Sequence, residues 1–271
     1  MSIFSNNLAK RVAVAIVAGP LVILLALWSN PIGWKSLTIL LTILGLWEFG
    51  SMTFKPDEVA DRYLLIIIGT ILTTVMLFNL KYLFLIFPWA TILILTTLVI
   101  TSKTTDGAGI RLGKIFLGVF YIALLFSFVG LLKVFPHGGK WIIFTLTVVW
   151  FSDTGAYFAG KSLGKHKLSP FVSPNKTWEG SIGGIIASIG AAGLATIYFK
   201  EASVPVLIGL AIFAGIMGQI GDLAESLIKR SCGVKDSGTL IPGHGGVLDR
   251  FDALLFAAPI VCGYLYSRMI L

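Results

Sequence analysis

The sequence predicts an all-α, polytopic integral membrane protein, a helical bundle of about nine transmembrane helices with its N-terminus in the cytoplasm. Composition, run length and the placement of charge carry this reading. Of 271 residues, 56% are hydrophobic and 13% charged, with a mean hydropathy of +0.91. A soluble domain carries about 25% charged residues. Apolar stretches of about 17 residues or more recur along the chain, long enough to cross a hydrocarbon core of ~30 Å. Backbone groups in lipid must bond internally, so such stretches are helices. A β-barrel would show short alternating strands instead, and none are visible.

In order, the spans run over 12–28, 34–54, 63–80, 82–100, 115–135, 141–160, 181–199, 204–228 and 250–270. The first follows Lys10 and Arg11, as a signal peptide would. No small-residue cleavage site follows Trp28, so it is expected to stay as a span. With nine crossings the loops sort 15 Lys/Arg residues to one face and 6 to the other. The positive-inside rule then puts the N-terminus in the cytoplasm and the C-terminus outside. The two longest loops, 161–180 and 229–250, face the cytoplasm with it. The loops are short and no internal repeat stands out, so residues 1–271 read as a single integral membrane domain. Cys232 and Cys262 have neither the number nor the spacing for a disulfide framework or a zinc site. A net charge of +8, interleaved with membrane spans, points to lipid headgroups and not to nucleic acid.

Ionisable residues inside spans cost at least ~2.5–3.5 kcal/mol each on insertion scales, which makes each one a candidate for function. Glu48 is either such a residue or a helix–helix hydrogen-bond partner near the interface. Asp153, flanked by Ser152 and Thr154, reads as lining a hydrated cavity. In the eighth span Asp222, Glu225, Ser226 and Lys229 share one helical face. Glu225 and Lys229 pair at i, i+4, while Asp222 has no local partner and calls for a cation. The ninth span opens with Asp249 and Asp252 on its first turn, where a helix dipole favours acids in any case. Asp249 also follows the glycine-rich PGHGG, whose backbone N–H groups can approach an anion. Carboxylates beside a phosphate-binding loop repel the ligand unless a divalent cation stands between them. His244, in that loop, suits acid–base work or a phosphate hydrogen bond.

Two stretches imitate known motifs. GAYFAGKS, residues 155–162, spells a Walker A loop but sits at the tail of an apolar span with no strand before it, so it is not one. DGAGIR, residues 106–111, opens like a CDP-alcohol phosphotransferase motif and then departs from it at Ile110.

The stretch Ser226–Asp252, SLIKRSCGVKDSGTLIPGHGGVLDRFD, holds four Lys/Arg residues, three acids and one His between apolar spans. It resembles the signature of the phosphatidate cytidylyltransferases, or CDP-diacylglycerol synthases. The fixed positions are filled by Ser226, Lys229, Arg230, Lys235, Asp236, Gly238, Ile241, Pro242, His244, Gly245, Gly246, Asp249, Arg250 and Asp252. SDTGAY in the sixth span and SPNKTWEG at 173–180 are similar to the same family. The likeness covers roughly residues 141–271, the catalytic helices and cytoplasmic loops; residues 1–140 correspond to the family's variable N-terminal helices.

The resemblance implies the reaction of CTP with phosphatidate to give CDP-diacylglycerol and pyrophosphate in phospholipid biosynthesis. It also implies Mg²⁺, alone or with a second cation, with the metal-binding aspartates falling on Asp222 and Asp249, and a homodimer in a bacterial inner membrane. Lys176, Lys229, Arg230, Lys235 and Arg250 would neutralise the phosphates, with Asp236 and His244 completing the catalytic set. Asp153, Asn175, Thr177, Glu179, Ser226, Gly245, Gly246 and Asp252 are the expected substrate-binding residues. A CTP-dependent lipid kinase of the polyprenol or phytol type is the nearest rival, distinguished by release of CDP. A transporter is the more distant one, and would place its polar groups at the bilayer midplane.

Overall fold

The computed structural model describes residues 16, 18–102, 104–200, 202–240 and 245–270. Among the described residues, seven helical segments are long and apolar enough to cross a bilayer. They are α2 (Ile32–Thr53), α3 (Val59–Phe78), α4 (Leu83–Thr101), the composite Ala108–Val134, α7 (Gly138–Leu163), α8 (Trp178–Tyr198) and α9 (Val204–Ser231). A shorter apolar helix, α1 (Ala18–Leu27), precedes them, and α10 (Leu248–Ile270) follows. The polytopic all-α architecture expected from the sequence is the one observed. The first expected span lies partly outside the described residues, as do Lys10, Arg11, Lys103 and the 241–244 part of the signature, His244 included.

The composite segment is not one regular helix. It runs as α5 (Ala108–Gly118), a π-helical turn over Val119–Leu124, α6 (Leu125–Leu131) and a closing 3₁₀ turn. Single π turns inside helices often accompany functional sites. Pro88 in α4 and Pro259 in α10 sit within helices, as membrane helices tolerate. Several hydroxyls inside the spans bond back along their own helix, as Thr38 to the Trp34 carbonyl and Thr145 to the Trp141 carbonyl. Those threonines are therefore satisfied without partners on other helices.

Packing differs along the chain. The first half interlocks large side chains, with Leu46, Phe49, Leu65, Ile122 and Phe126 fully buried. At the other end of the sequence α7 and α8 meet through small residues. A side chain added at Gly155 would overlap Ala187, one at Gly183 would overlap Ala159, and one at Gly184 would come within 2.8 Å of the Ser152 carbonyl. Gly155 and Gly160 of the Walker-like stretch are thus contact points in a close helix pair, the usual use of small residues in membranes. Helix α4 lies at the periphery, with Phe84 and Val99 facing outward.

One element was not expected from the sequence. Loop 161–180 folds as a two-stranded antiparallel hairpin, β1 (Lys167–Ser169) with β2 (Ser173–Thr177). Its strands are short and polar, without the apolar alternation that marks a half-buried strand. Contacts of Glu58 with Lys114, Glu48 with Val247 and Leu248, Lys229 with Asp249 and Lys176 with Asp222 bring the described residues of the loops after α2, α7 and α9 to one end of the bundle. At that end α3 and α5 are tied by Asp61 and Arg111, whose side chains form two hydrogen bonds of 2.5 and 2.9 Å. Arg111 is therefore structural, and DGAGIR is a helix start whose Gly107 takes a left-handed φ of 71°, as glycine does without strain.

Candidate active site

The site is built where α7, the hairpin, α8, α9 and α10 meet at that shared end. A cavity of about 640 Å³ is lined by Asp153, Tyr157 and Lys161 of α7, Asn175, Lys176 and Thr177 of the hairpin, Ser181 of α8, and Gln219 and Asp222 of α9. Thr177 caps α8, its hydroxyl accepting the Gly180 N–H at 3.1 Å, the ordinary service of a threonine at that position. Glu179 reaches back to the start of the hairpin. It accepts the backbone N–H groups of Lys165 and His166 at 3.1 and 3.2 Å and meets the His166 ring at 2.6 Å. Both residues fix the hairpin that carries Lys176, and Thr177 also lines the cavity.

Asp222, without a basic partner on its own helix, has one from across the site. Lys176 Nζ stands 2.6 Å from its carboxylate, joining hairpin to α9. Ser226, one turn on, is 3.5 Å from the other oxygen. Lys229 is 8% exposed and lies 2.7 Å from Glu225 and 2.6 Å from Asp249. The i, i+4 pair with Glu225 is as the spacing predicts. Lys229, expected to neutralise a substrate phosphate, is here committed to two carboxylates and locks α9 to the first turn of α10.

Asp249 is saturated. One oxygen meets Lys229, and the other accepts the Ser237 N–H at 2.9 Å, the Ser237 hydroxyl at 3.0 Å and the Gly246 N–H at 2.8 Å. Its closeness explains the loop's glycines. Gly245 has a left-handed φ of 83°, and an added Cβ would stand 2.7 Å from the Asp249 carboxylate. At Gly246 an added Cβ would collide with Ser237 and Glu48. Asp252, half-buried on the next turn, lies within electrostatic reach of Asp222, Glu225 and Asp153. Lys235 and Asp236 are exposed on the loop. Arg230 is likewise exposed and donates to the Val234 carbonyl at 2.9 Å. Arg250 sits on the first turn of α10.

Three residues in this region escaped the sequence reading. Gln219 bridges α7 and α8, donating to Ser152 at 3.3 Å and to the Ser181 carbonyl at 3.1 Å, while its carbonyl accepts from the Ser181 hydroxyl. An amide one turn before Asp222 in an apolar span was the available signal. Ser237 is hidden at a free position of the signature. Tyr121 lies on the π turn, and its buried hydroxyl has no protein partner. It feels Glu225, Asp252, Asp222 and Asp249.

Whether these residues suit a divalent cation can be judged from the donor set. Among the described residues no three His, Cys, Asp or Glu side chains form a ready metal cage. Mg²⁺ rarely asks for one; it binds through one or two carboxylates, waters and substrate phosphates. Carboxylates gather here from α7, α9 and α10, and one buried oxygen of Glu225 has no hydrogen-bond partner. The set is hard, anionic and incompletely satisfied, which fits Mg²⁺.

A sequence model of the cytidylyltransferase family matches residues 9–268. The chain belongs to that family. It is 43% identical over 178 residues to the phosphatidate cytidylyltransferase of Bacillus subtilis (strain 168), covering 64% of each protein. It is 45% identical over 147 residues to that of Staphylococcus aureus (strain COL), covering 54% of this chain and 55% of the other. To the Staphylococcus haemolyticus (strain JCSC1435) protein it is 48% identical over 126 residues, 46% of this chain and 48% of that one. The matched regions thus span 48% to 64% of these curated relatives.

Proposed function

We propose that this integral membrane protein is a phosphatidate cytidylyltransferase, converting CTP and phosphatidate to CDP-diacylglycerol and pyrophosphate. The observation that carries the reading is the Lys176–Asp222 ion pair, 2.6 Å long, at the wall of a cavity of about 640 Å³ beside the Lys229–Asp249 lock. An oxygen of the phosphatidate phosphate attacks the α-phosphorus of CTP. The new P–O bond forms as the bond to the β-phosphate oxygen breaks, and pyrophosphate leaves with that electron pair. A phosphate monoester dianion is already nucleophilic, so alignment and charge neutralisation supply the catalysis. Lys176 and Lys161 stand in the cavity wall to bind anionic oxygens, and Arg230, Lys235 and Arg250 extend the cationic rim. Asp222 and Asp249 would hold Mg²⁺, Asp249 by giving up one of its present donors. When bound, the cation would neutralise triphosphate charge and polarise the reacting phosphorus. We read the site as cytoplasmic, in a bacterial inner membrane. The lysine-rich loops and the bacterial relatives support this.

The test is to purify Asp222→Asn and Asp249→Asn and follow CDP-lipid and pyrophosphate across Mg²⁺ concentrations. Loss of more than about a hundredfold in kcat is expected for each. Near-wild-type turnover would remove that residue from the metal site, and release of CDP in place of pyrophosphate would make the protein a kinase.

A further inference from the structure

Glu48 belongs to the first half of the chain, late in α2, yet its carboxylate is spent on the signature loop. It is 2% exposed. One oxygen accepts the Val247 N–H at 2.8 Å; the other accepts the Leu248 N–H at 3.0 Å and the Ser237 hydroxyl at 3.1 Å. Val247 and Leu248 are the entry to α10, so Glu48 caps that helix from another helix, satisfying two of its orphan donors. A side chain added at Gly238 would come within 2.7 Å of Glu48, so both limbs of the loop close down on this one carboxylate. Ser237 carries the contact inward. Its single hydroxyl proton lies between Glu48 at 3.1 Å and Asp249 at 3.0 Å, and its own N–H holds Asp249 at 2.9 Å.

We infer that Glu48 is a positioning residue: it clamps Ser237 to the Val247–Leu248 entry of α10 and, through Ser237, sets the carboxylate of Asp249. The inference rests on the proposed cytidylyl transfer for its kinetic consequence, but the clamp can be tested without substrate. Glu48→Gln keeps length and shape, yet its amide offers one acceptor oxygen where three donors now converge, and its NH₂ faces a backbone N–H. Losing about one hydrogen bond corresponds to roughly tenfold in an opening equilibrium. Hydrogen exchange at the Val247 and Leu248 amides is therefore expected to quicken about tenfold in the variant. In turnover, kcat should fall by about tenfold or more and the half-saturating Mg²⁺ concentration should rise, with KM for phosphatidate within about twofold.

A role in packing alone would lower the melting temperature and leave kcat and the Mg²⁺ dependence of the folded enzyme unchanged. That result, or unchanged exchange at both amides, overturns the inference. Should the wild-type protein make no CDP-lipid, the functional reading fails while the exchange arm still decides the clamp. Ser237→Ala serves if Glu48→Gln does not fold. It should weaken kcat in the same direction and leave Val247 and Leu248 protected, because Glu48 still holds them. A wild-type kcat and Mg²⁺ dependence in Ser237→Ala would sever the proposed link to Asp249.

Discussion

The two halves of the bundle treat charge in opposite ways. Between α3 and α5, Asp61 is fully buried and gripped by two hydrogen bonds from Arg111, and Glu58 lies 2.6 Å from Lys114. Both of these acids have a basic partner, and large side chains interlock in that half. Between α7 and α10, Asp153, Asp222, Glu225, Asp249 and Asp252 gather around Lys176 and Lys229. One Glu225 oxygen and the Tyr121 hydroxyl are left without partners. Small residues there let helices approach and leave a cavity beside them. The difference teaches where each half spends its polar groups. The first uses ion pairs to hold helices together, and the second gathers five carboxylates around two lysines beside a cavity.

Removing one partner of a buried pair strands the other, typically at ~3–5 kcal/mol. Lys229→Met should show the largest effect of all, because one ammonium serves both Glu225 and Asp249. A lowered melting temperature in detergent and loss of nearly all turnover are expected, and retained activity in folded protein would show that the lock is dispensable. Arg111→Met, which strands Asp61, should lower stability by a similar ~3–5 kcal/mol while the folded fraction keeps its kcat. Equal stability losses with unequal activity losses are what separate a closed ion pair from a catalytic one. If Arg111→Met abolished turnover in folded protein, the division between the halves would collapse.

Thr177→Ala lies between these extremes. It removes the cap of α8 at about 1 kcal/mol and loosens the hairpin that carries Lys176. Its expected signature is a small fall in melting temperature with a raised KM for CTP. A change in melting temperature alone would confine Thr177 to capping.

The spans were legible because hydrocarbon leaves a chain few choices: an apolar run of sufficient length becomes a helix. Local pairings were legible for the same kind of reason. Glu225 and Lys229 meet because an α-helix brings i and i+4 together. Contacts set by the assembly of helices were not. Asp222 has no local partner, and the one it has, Lys176, reaches it from a hairpin whose polar strands have no readable period. Glu48 could be singled out as an acid in a span, but its partner Ser237 lies 189 positions away. Arg111, inside a motif look-alike, belongs to Asp61, 50 positions earlier. Sequence therefore exposed which residues were unusual, and only the packing of α2 against α10 and of the hairpin against α9 decided what each one is for.

The smallest effect belongs to Glu58 and Lys114, and it sharpens the contrast from the weak end. Burial raises the Glu58 carboxyl, but the hydrogen bonds from Lys114 and the Lys55 N–H outweigh it and hold the group below its ordinary value. A carboxyl depressed in the folded state stabilises above its unfolded pKa of about 4.3, and that contribution is lost as pH falls through the folded value. Partly exposed pairs near the surface are worth ~0.2–1 kcal/mol. Glu58→Gln should therefore lower the melting temperature slightly at neutral pH and converge with wild type near pH 3. Turnover should be unchanged, since the pair lies on the opposite half from Lys176 and Asp222. Melting curves of both proteins between pH 3 and 7 would check it. A gap that widened toward acid would mean the carboxyl is stabilised in its neutral form, and the first half of the bundle would then hold its charges less completely than its geometry implies.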